Sequence, residues 1–539
     1  MGAMEKTGGN DSISISQEEY AVATLDGQAV SSEAAKHGEK ALELVGDERV
    51  VLTEEDNKRI RRKTDRVILT LLVWVYFLQI LDKTVLGNAA TFGLIKSAGL
   101  TGSQYSFLGS IAPIAQLAWQ PFSSVLIVKV PHRILMPALL LGWGVACTSL
   151  AACHNFHSLL AARFFVGLFE GGALPLFSVI TAQWYRRAEQ PLRVAAWYGT
   201  NGPATIVASA LSYGLGHIIS PVLESWQIIF LFVGLVTIAT VPFVYWRLDN
   251  GIPSARFLSE EDKRKAVERL RANQTGTGSR EFKGRQILEM CLEPKTYLWF
   301  AISLFINAGA AVTNTFGPLI LNGLGFDKYL SSLLNIPFGF AQWVVILSAS
   351  WVAQRFRLKS AVMFALALPV IAGLAILYAV PRTGHNAPLL VGYYLLAFLF
   401  GLIPVEVAWI VANTAGTTKK SAIMSVYNGA ASVGNIIGPL VLNSKDAPSY
   451  LPGLRVMLGL FVALAGCVVL QAVNLAFLNG LQERRRVRNG KPAKINDTSM
   501  ADRYGDLAAV EDDEGETPIG QNAFADLTDR ENDEFVYVL

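Results

Sequence analysis

Four ionisable residues lie within otherwise apolar stretches of the first half of the sequence. Asp82 and Lys83 are adjacent in one stretch, and Arg163 and Glu170 lie in another. A carboxyl group in such a setting can hold or release a proton as its surroundings change, because burial favours the neutral acid and a nearby cation favours the anion. Ionisable groups inside apolar helices are costly and commonly functional. This is the chemistry that a proton-coupled carrier needs.

The spacing of these residues limits how they can meet. Arg163 and Glu170 are separated by two helical turns and share a face, whereas Asp82 and Lys83 point about 100° apart on a helix. A structural alternative stays open at this point. Asp82 could pair with Arg163, and Lys83 with Glu170, as fixed ion pairs that lock two helices together.

Polar residues of the second half of the chain form further candidates. Glu406 shares a helical face with Trp409 and Asn413, which favours a role in lining a cavity, although a single acid near a helix end can also be structural. Asn435 lies seven residues after Asn428, and such a polar stripe either lines a cavity or hydrogen-bonds to a neighbouring helix. We place Glu406, Asn413 and Asn435 among the candidate substrate-binding residues. The same spacing links Asn307 with Asn314, and Asn335 with Gln342.

The elements that position these residues are apolar blocks. Hydrophobic residues make up 52% of the 539 residues, whereas charged residues make up only 17%, against about a quarter in soluble proteins. Blocks of about 20 residues match the thickness of a bilayer, and in lipid they must be helices. The blocks predict an all-α membrane protein, with spans at about 66–90, 104–128, 134–152, 158–184, 192–217, 226–247, 296–322, 330–353, 360–380, 388–413, 420–443 and 453–480.

Polar segments divide the chain into five parts. We predict a disordered N-terminal tail (1–63), a six-helix half (64–247), a central loop (248–295), a second six-helix half (296–480) and a disordered C-terminal tail (481–539). The capping pattern at Ser259–Asp262 predicts a short helix in the central loop. Two six-helix halves joined by a long loop are typical of transporters.

The charges of the loops predict the orientation in the membrane. Basic residues concentrate in the tails and in alternate loops, with Arg186, Arg193, Arg355, Lys419 and Arg484 as examples. Because Lys and Arg favour cytoplasmic loops, both tails and the central loop are expected in the cytoplasm.

Several motifs, in order and at the expected helices, carry a family resemblance. They are L-D-K-T at Leu81–Thr84, L-T-G-S-Q-Y-S-F-L-G-S-I at Leu100–Ile111, R-F-F-V-G-L-F-E at Arg163–Glu170, W-Y-R-R-A-E-Q-P-L-R at Trp184–Arg193, N-T-A-G-T-T-K-K at Asn413–Lys420, G-N-I-I-G-P at Gly434–Pro439 and the final Asp526–Leu539. The chain resembles the major facilitator superfamily, and within it the fungal allantoate permease branch of the anion:cation symporter family. The resemblance implies the major facilitator fold, with about twelve transmembrane helices.

The resemblance also implies roles for the four ionisable residues. Asp82 and Glu170 match the acids that couple protons in related carriers, and Lys83 and Arg163 match the cations that hold the anion. Related members carry small carboxylates such as allantoate, nicotinate, pantothenate or biotin. The resemblance therefore implies proton-coupled uptake of a small organic anion by a monomer, without a cofactor, in the plasma membrane.

Two departures from the family pattern bear on gating and on the substrate. The loop at Ser124–Arg133 keeps Lys129 and Arg133 but lacks the usual acid. The second helix has A-P-I-A-Q-L at Ala112–Leu117, where the branch commonly shows tyrosines. The second departure gives weight to an alternative function, proton-antiport export of a fungal metabolite.

Other classes of function fit less well. A non-transporting nutrient sensor on a carrier fold would usually have a long folded tail. An enzyme is not expected, because the spans contain no His or Cys cluster, nucleophile motif or phosphate loop, and we expect neither a metal nor a nucleic-acid partner. The four cysteines have no zinc or redox spacing and are expected to be free thiols. Gly167/Gly171 and Gly434/Gly438 predict close helix contacts.

Overall fold

The computed structural model describes residues 53–101, 103–186, 189–271, 283–356, 358–381, 385–442, 446–447, 449–493, 527–533 and 535–539. Within these ranges the regular structure is helical, and no β-strand occurs in them. Most of the predicted N-terminal tail lies outside the described residues.

Helices fill the predicted spans in order, and we label them α1 to α12. The first half contains α1 (Thr70–Ala89), α2 (Gln104–Lys129), α3 (His132–Ser149), α4 (Phe156–Glu170 and Ala173–Trp184), α5 (Gln190–Tyr198 and Asn201–Gly216) and α6 (Ser225–Arg247). The second half contains α7 (Pro294–Gly323), α8 (Lys328–Phe356), α9 (Lys359–Ala379), α10 (Asn386–Leu395 and Leu399–Ala412), α11 (Thr417–Val441) and α12 (Leu451–Arg488).

Apolar composition explains why these segments are helices. Nine helical stretches of the described chain are long and apolar enough to cross a membrane. Helices α2, α5 and α11 occupy the other predicted positions. The chain is therefore an all-α membrane protein built from two six-helix halves.

Small residues let pairs of helices approach closely within each half. A Cβ atom added to Gly167 of α4 would lie 2.3 Å from the carbonyl oxygen of Ala112 on α2. One added to Gly438 of α11 would lie 2.4 Å from the carbonyl oxygen of Ala308 on α7. The predicted close helix contacts at these glycines are confirmed, and they hold the backbones of α2 and α7 against their neighbours.

The two halves are joined at the end of the bundle that lies away from Glu54 and Arg488, which we call the far end. Tyr105 of α2 donates a hydrogen bond to the carbonyl oxygen of Thr315 on α7, with an O–O distance of 2.7 Å. Further hydrogen bonds at this end join Ser106 to Leu442, Ser332 to Ser209, and Tyr329 to Gly216. The far end is closed in this conformation.

At the opposite, near end, two short helices pack under the first half. The leading helix (Glu54–Thr64) continues into α1 through a π turn, and the first loop helix (Glu260–Arg271) begins where its capping pattern predicts. Asp262 of the loop helix accepts hydrogen bonds from Arg59 at 2.8 Å and Lys63 at 2.6 Å. These ion pairs fix the loop helix to the leading helix.

The near end of the second half is covered differently. The second loop helix (Gly284–Leu292) packs against α11. We expected disorder from residue 481 onward, but α12 continues to Arg488, and residues 527–533 and 535–539 pack under this half. The difference arises because the polar groups of this region find partners: Arg486 is buried and donates to the carbonyl oxygen of Asp533 at 3.0 Å.

Candidate functional site

Helices α1 and α4 bring the four ionisable residues of the first half together. Arg163 Nη1 lies 3.8 Å from Asp82 Oδ2, and Lys83 Nζ lies 3.7 Å from Glu170 Oε1. The seven-residue spacing in α4 lets one helical face meet two adjacent residues of α1, since Asp82 turns toward Arg163 and Lys83 toward Glu170. These are the same two pairs that a purely structural clamp between the helices would use. The geometry of each contact must therefore decide between a structural and a functional role.

The contacts are loose for buried ion pairs. The side chains of Asp82, Arg163 and Glu170 are 1%, 6% and 2% exposed. Yet Asp82 Oδ2, Arg163 Nη1 and Glu170 Oε1 make no hydrogen bond to any described residue. Asp262 at the near end, by contrast, contacts its two cations at 2.6 and 2.8 Å.

This looseness matters energetically. A buried charge is costly unless it is paired and hydrogen-bonded, and a buried pair is stable only when its geometry is good. Arg163 has unused donors beside a carboxylate that it does not reach, so a second anion can compete for it. Lys83, whose side chain is 31% exposed, is the most accessible member of the group.

Two neutral side chains complete the cluster, and sequence reasoning assigned neither of them a role. The Cys147 thiol of α3 donates to Asp82 Oδ1 at 2.9 Å, and Gln116 Nε2 of α2 donates to Glu170 Oε2 at 2.9 Å. Gln116 lies within the stretch that departs from the family pattern, which was a usable signal. A lone cysteine in an apolar helix gives no such signal.

Two candidates of the second half, Glu406 and Asn435, belong to a separate hydrogen-bonded network on α7, α10 and α11. Glu406 is fully buried and accepts a hydrogen bond from Ser303. One turn further along α7, Asn307 accepts from Asn435 of α11 at 3.5 Å. Glu406 Oε2 has no hydrogen-bond partner among the described residues.

Asn413 is not part of this hydrogen-bonded network. Its amide group exchanges two hydrogen bonds with the backbone of Val538, at 2.8 and 2.9 Å, and the residue is fully buried. The structure therefore places Asn413 against the end of the sequence and apart from the other candidates. Its role in substrate binding stays a prediction.

Tyrosines connect the two groups of candidates across the halves. Tyr76 of α1 packs on Tyr198 of α5 with ring centroids 5.9 Å apart. Tyr76 interacts electrostatically with Glu170, and Tyr198 and Tyr427 with Glu406. Aromatic rings that carry hydroxyl groups therefore lie within electrostatic range of both acids, and such rings suit a ligand with apolar and polar parts.

Comparison with known proteins agrees with this architecture. Residues 72–439 match the model of the Major Facilitator Superfamily. The chain is 32% identical to an uncharacterized transporter of Schizosaccharomyces pombe over 518 residues, which cover 95% of this chain and 92% of the relative. It is 32% identical to the thiamine pathway transporter of Saccharomyces cerevisiae, over 78% of this chain and 79% of the relative. It is 28% identical to the allantoate permease of the same yeast, over 94% and 90%.

Solved structures share the fold at low sequence identity. A bacterial homolog of the human lysosomal transporter Spinster, in an inward-facing and unoccupied conformation, superposes with a TM-score of 0.57 at 14% identity, over 78% of this chain and 98% of that one. The chain belongs to the Major Facilitator Superfamily, and it is a transporter of that type. The resemblance to fungal transporters that the motifs predicted is confirmed.

Proposed function

We propose that this protein is a secondary active transporter that takes up a small organic anion together with protons. The observation that carries the proposal is the loose pairing of two buried carboxylates, Asp82 and Glu170, with Arg163 and Lys83 at 3.8 and 3.7 Å. A purely structural clamp would gain from shorter contacts. Pairs held at this distance can exchange partners.

The mechanism that we propose uses this exchange. A proton on Asp82 or Glu170 neutralises the carboxylate and frees its basic partner. A carboxylate of the substrate then takes the place of the protonated acid, and the planar guanidinium of Arg163 offers it two parallel hydrogen bonds. Lys83, the more exposed cation, is the first positive charge that the substrate meets.

Proton and anion binding are therefore linked. Protonation raises the affinity for the anion, and bound anion raises the affinity for the proton by the same factor. Only the fully loaded and the empty carrier have their charges balanced within the site. Rocking of the two halves about the site, which opens the far end and the near end in turn, would then couple the two fluxes.

The proposed orientation rests on the loop charges. We propose the plasma membrane, with both tails and the central loop in the cytoplasm, and a monomer as the working unit. In this orientation the closed far end faces outward. The similarity to the allantoate permease and to the thiamine pathway transporter supports small polar solutes as the substrate class.

A flux experiment in sealed vesicles tests the proposal. Purified protein in liposomes is given an imposed pH gradient, and a panel of small radiolabelled carboxylates is screened for accumulation. We expect accumulation on the alkaline side, abolished by a protonophore. Accumulation on the acidic side would replace uptake with export by antiport, and equal flux with and without the gradient would remove proton coupling.

A further inference from the structure

The last residues of the sequence form a compact set of contacts under the second half. We call residues 527–533 and 535–539 the C-terminal segment. Asp529 is fully buried and lies between the ammonium groups of Lys295 at the start of α7 and Lys419 at the start of α11, the latter at 2.9 Å. Tyr537, which is 2% exposed, donates its hydroxyl hydrogen to Asp529 Oδ2 at 2.8 Å. The two described stretches of the segment thus meet at one buried carboxylate.

Two asparagines bind successive peptide units of the segment. Asn479 of α12 accepts from the Tyr537 amide and donates to its carbonyl oxygen, both at 2.8 Å. Asn413, directly after α10, accepts from the Val538 amide and donates to its carbonyl oxygen, at 2.8 and 2.9 Å. Each carboxamide therefore satisfies both the donor and the acceptor of one residue, and Trp409 adds a second donor to the Val538 carbonyl at 2.9 Å.

The other end of the segment is bound by α12. Gln482 donates to the carbonyl oxygens of Asp529 and Asn532 at 2.8 and 3.2 Å. Arg486 donates to the carbonyl oxygen of Asp533 at 3.0 Å. Backbone recognition from several helices is how proteins bind an irregular peptide, because buried N–H and C=O groups must all find partners.

The acidic residue at position 529 lies in a cluster of buried charged side chains. Lys419 also contacts Glu289 at 2.8 Å and Glu293 at 2.6 Å, and Lys295 contacts Glu293 at 3.3 Å. Lys295 and Lys419 hold the pKa of Asp529 below its usual value, although burial alone would raise it. Without Asp529, two almost fully buried cations would lose one of the two carboxylates that contact them both.

We propose that the near end of the second half is a peptide-binding site, and that its ligand is the C-terminal segment of this same chain, held through Asp529 and through the backbone of Tyr537 and Val538. The ligand belongs to the class of acidic, aromatic peptides. It joins the ends of α7, α10, α11 and α12. Two of its contacts, Trp409 and Asn413, lie one and two turns after Glu406 on α10, so the docked segment also fixes the helix that carries this acid.

Cleavage after folding tests the proposal with the protein as it exists. A protease site is placed within residues 494–526 of the full chain, the protein is purified in detergent, and the connection is cut. We expect the released segment to stay bound through gel filtration. A labelled synthetic peptide of residues 527–539 should exchange into the site in a saturable manner. Loss of the segment on cutting, with an unchanged unfolding temperature, would overturn the proposal.

Peptide variants distinguish specific from non-specific binding of the segment. We expect Asp529→Asn in the peptide to weaken competition at least about tenfold, which corresponds to ~1.4 kcal/mol. Arg530→Ala is the matched control, because that side chain is 54% exposed and lies 4.0 Å from Glu293, and it should change competition less than about threefold. Equal competition by the Asp529→Asn and parent peptides would contradict the site. These outcomes do not depend on which solute the protein carries.

Discussion

The thiol of Cys147 donates a hydrogen bond to Asp82 at 2.9 Å, on the side of the carboxylate opposite to the contact with Arg163 at 3.8 Å. The closest hydrogen-bond donor to this acid is therefore a neutral group on α3, and the cation is held at a distance. Proton exchange at Asp82 requires an acid that is oriented but not locked. Cys147 provides the orientation.

This relationship predicts different effects for two substitutions of Cys147. Cys147→Ala removes the donor, and because a hydrogen bond to a charged group contributes ~1.5–3 kcal/mol, we expect proton-driven accumulation to fall about tenfold. Cys147→Ser keeps a donor of similar size and should retain most of the activity. Initial rates in vesicles measure both, with Cys467→Ala, which lies on α12, as the control. Equal rates for the alanine variant and the parent would assign Cys147 to packing alone.

Neutralising the two acids should separate coupling from binding. We expect Asp82→Asn and Glu170→Gln each to abolish accumulation against a gradient, because the site can no longer release a proton. Exchange of substrate across the membrane should survive in at least one of them, since the cations remain. Glu261→Gln, at a side chain that is 72% exposed on the first loop helix, is the matched control. Accumulation at the parental level in both variants would make the acids structural.

Arg163 should not tolerate lysine. The guanidinium has unused donors in a planar arrangement, whereas an ammonium offers a single point charge. We expect Arg163→Lys to raise the substrate concentration for half-maximal uptake at least about tenfold, the equivalent of one charge-assisted hydrogen bond. Competition by the neutral amide of the same substrate should be weak in the parent. Competition by amide and carboxylate at equal concentrations would argue against recognition of an anion.

Stability in acid should depend on Asp262. Burial raises the pKa of this carboxyl, but hydrogen bonds from Lys63 and Arg59 outweigh it and hold the pKa below the usual 3.8. A carboxyl group with a depressed pKa stabilises the fold fully above its unfolded pKa, and this contribution is lost as the pH falls through the lower folded value. We expect Asp262→Asn to lower the unfolding temperature near pH 7, and the difference from the parent to shrink below about pH 4. Thermal unfolding across this range, with Glu261→Gln as control, measures it. A difference that is constant with pH would exclude the ion pairs as its source.

Closing the far end permanently should stop transport. Ser332 on α8 donates to the Ser209 carbonyl of α5 at 3.1 Å, so these positions lie close across the halves. We expect a short thiol-specific cross-linker between Ser209→Cys and Ser332→Cys to block uptake, and reduction of a cleavable linker to restore it. Each variant with only one of the two substitutions, treated in the same way, is the control. Uptake that continues after complete cross-linking would show that the far end need not open.

The sequence predicted the parts of the site that depend on helical periodicity. Asp82, Lys83, Arg163 and Glu170 stand out because ionisable groups are rare in apolar helices, and seven-residue spacing determines a shared face. Their partners could not be predicted in the same way. Cysteine is a common residue in apolar helices. The residue type alone does not tell whether Cys147 faces Asp82 or the lipid.

Asn413 illustrates a different limit. Helical spacing predicts that Asn413 shares a face with Glu406 and Trp409. Its hydrogen-bond partner, Val538, is 125 residues away in sequence and cannot be found from that spacing. The acidic, polar composition around Asp529 is typical of disordered chains, and composition does not reveal that Lys295 and Lys419 converge to receive one of those acids. Periodicity describes one helix at a time, whereas this site exists only where the ends of several helices meet.

The separate near-end contacts of the two halves have a consequence for the order in which the chain is made. Asp262 and its partners Arg59 and Lys63 all precede residue 272, so a ribosome can complete the underside of the first half before it begins the second. The second half has no such advantage. Lys295 meets Asp529 only after 234 further residues have been made. Until then, Glu289 and Glu293 are the carboxylates that the buried Lys295 and Lys419 contact. A nascent chain stalled before Asp529 should therefore have complete near-end contacts in its first half and incomplete ones in its second half. The second half should still be recognised by the insertion and quality-control machinery.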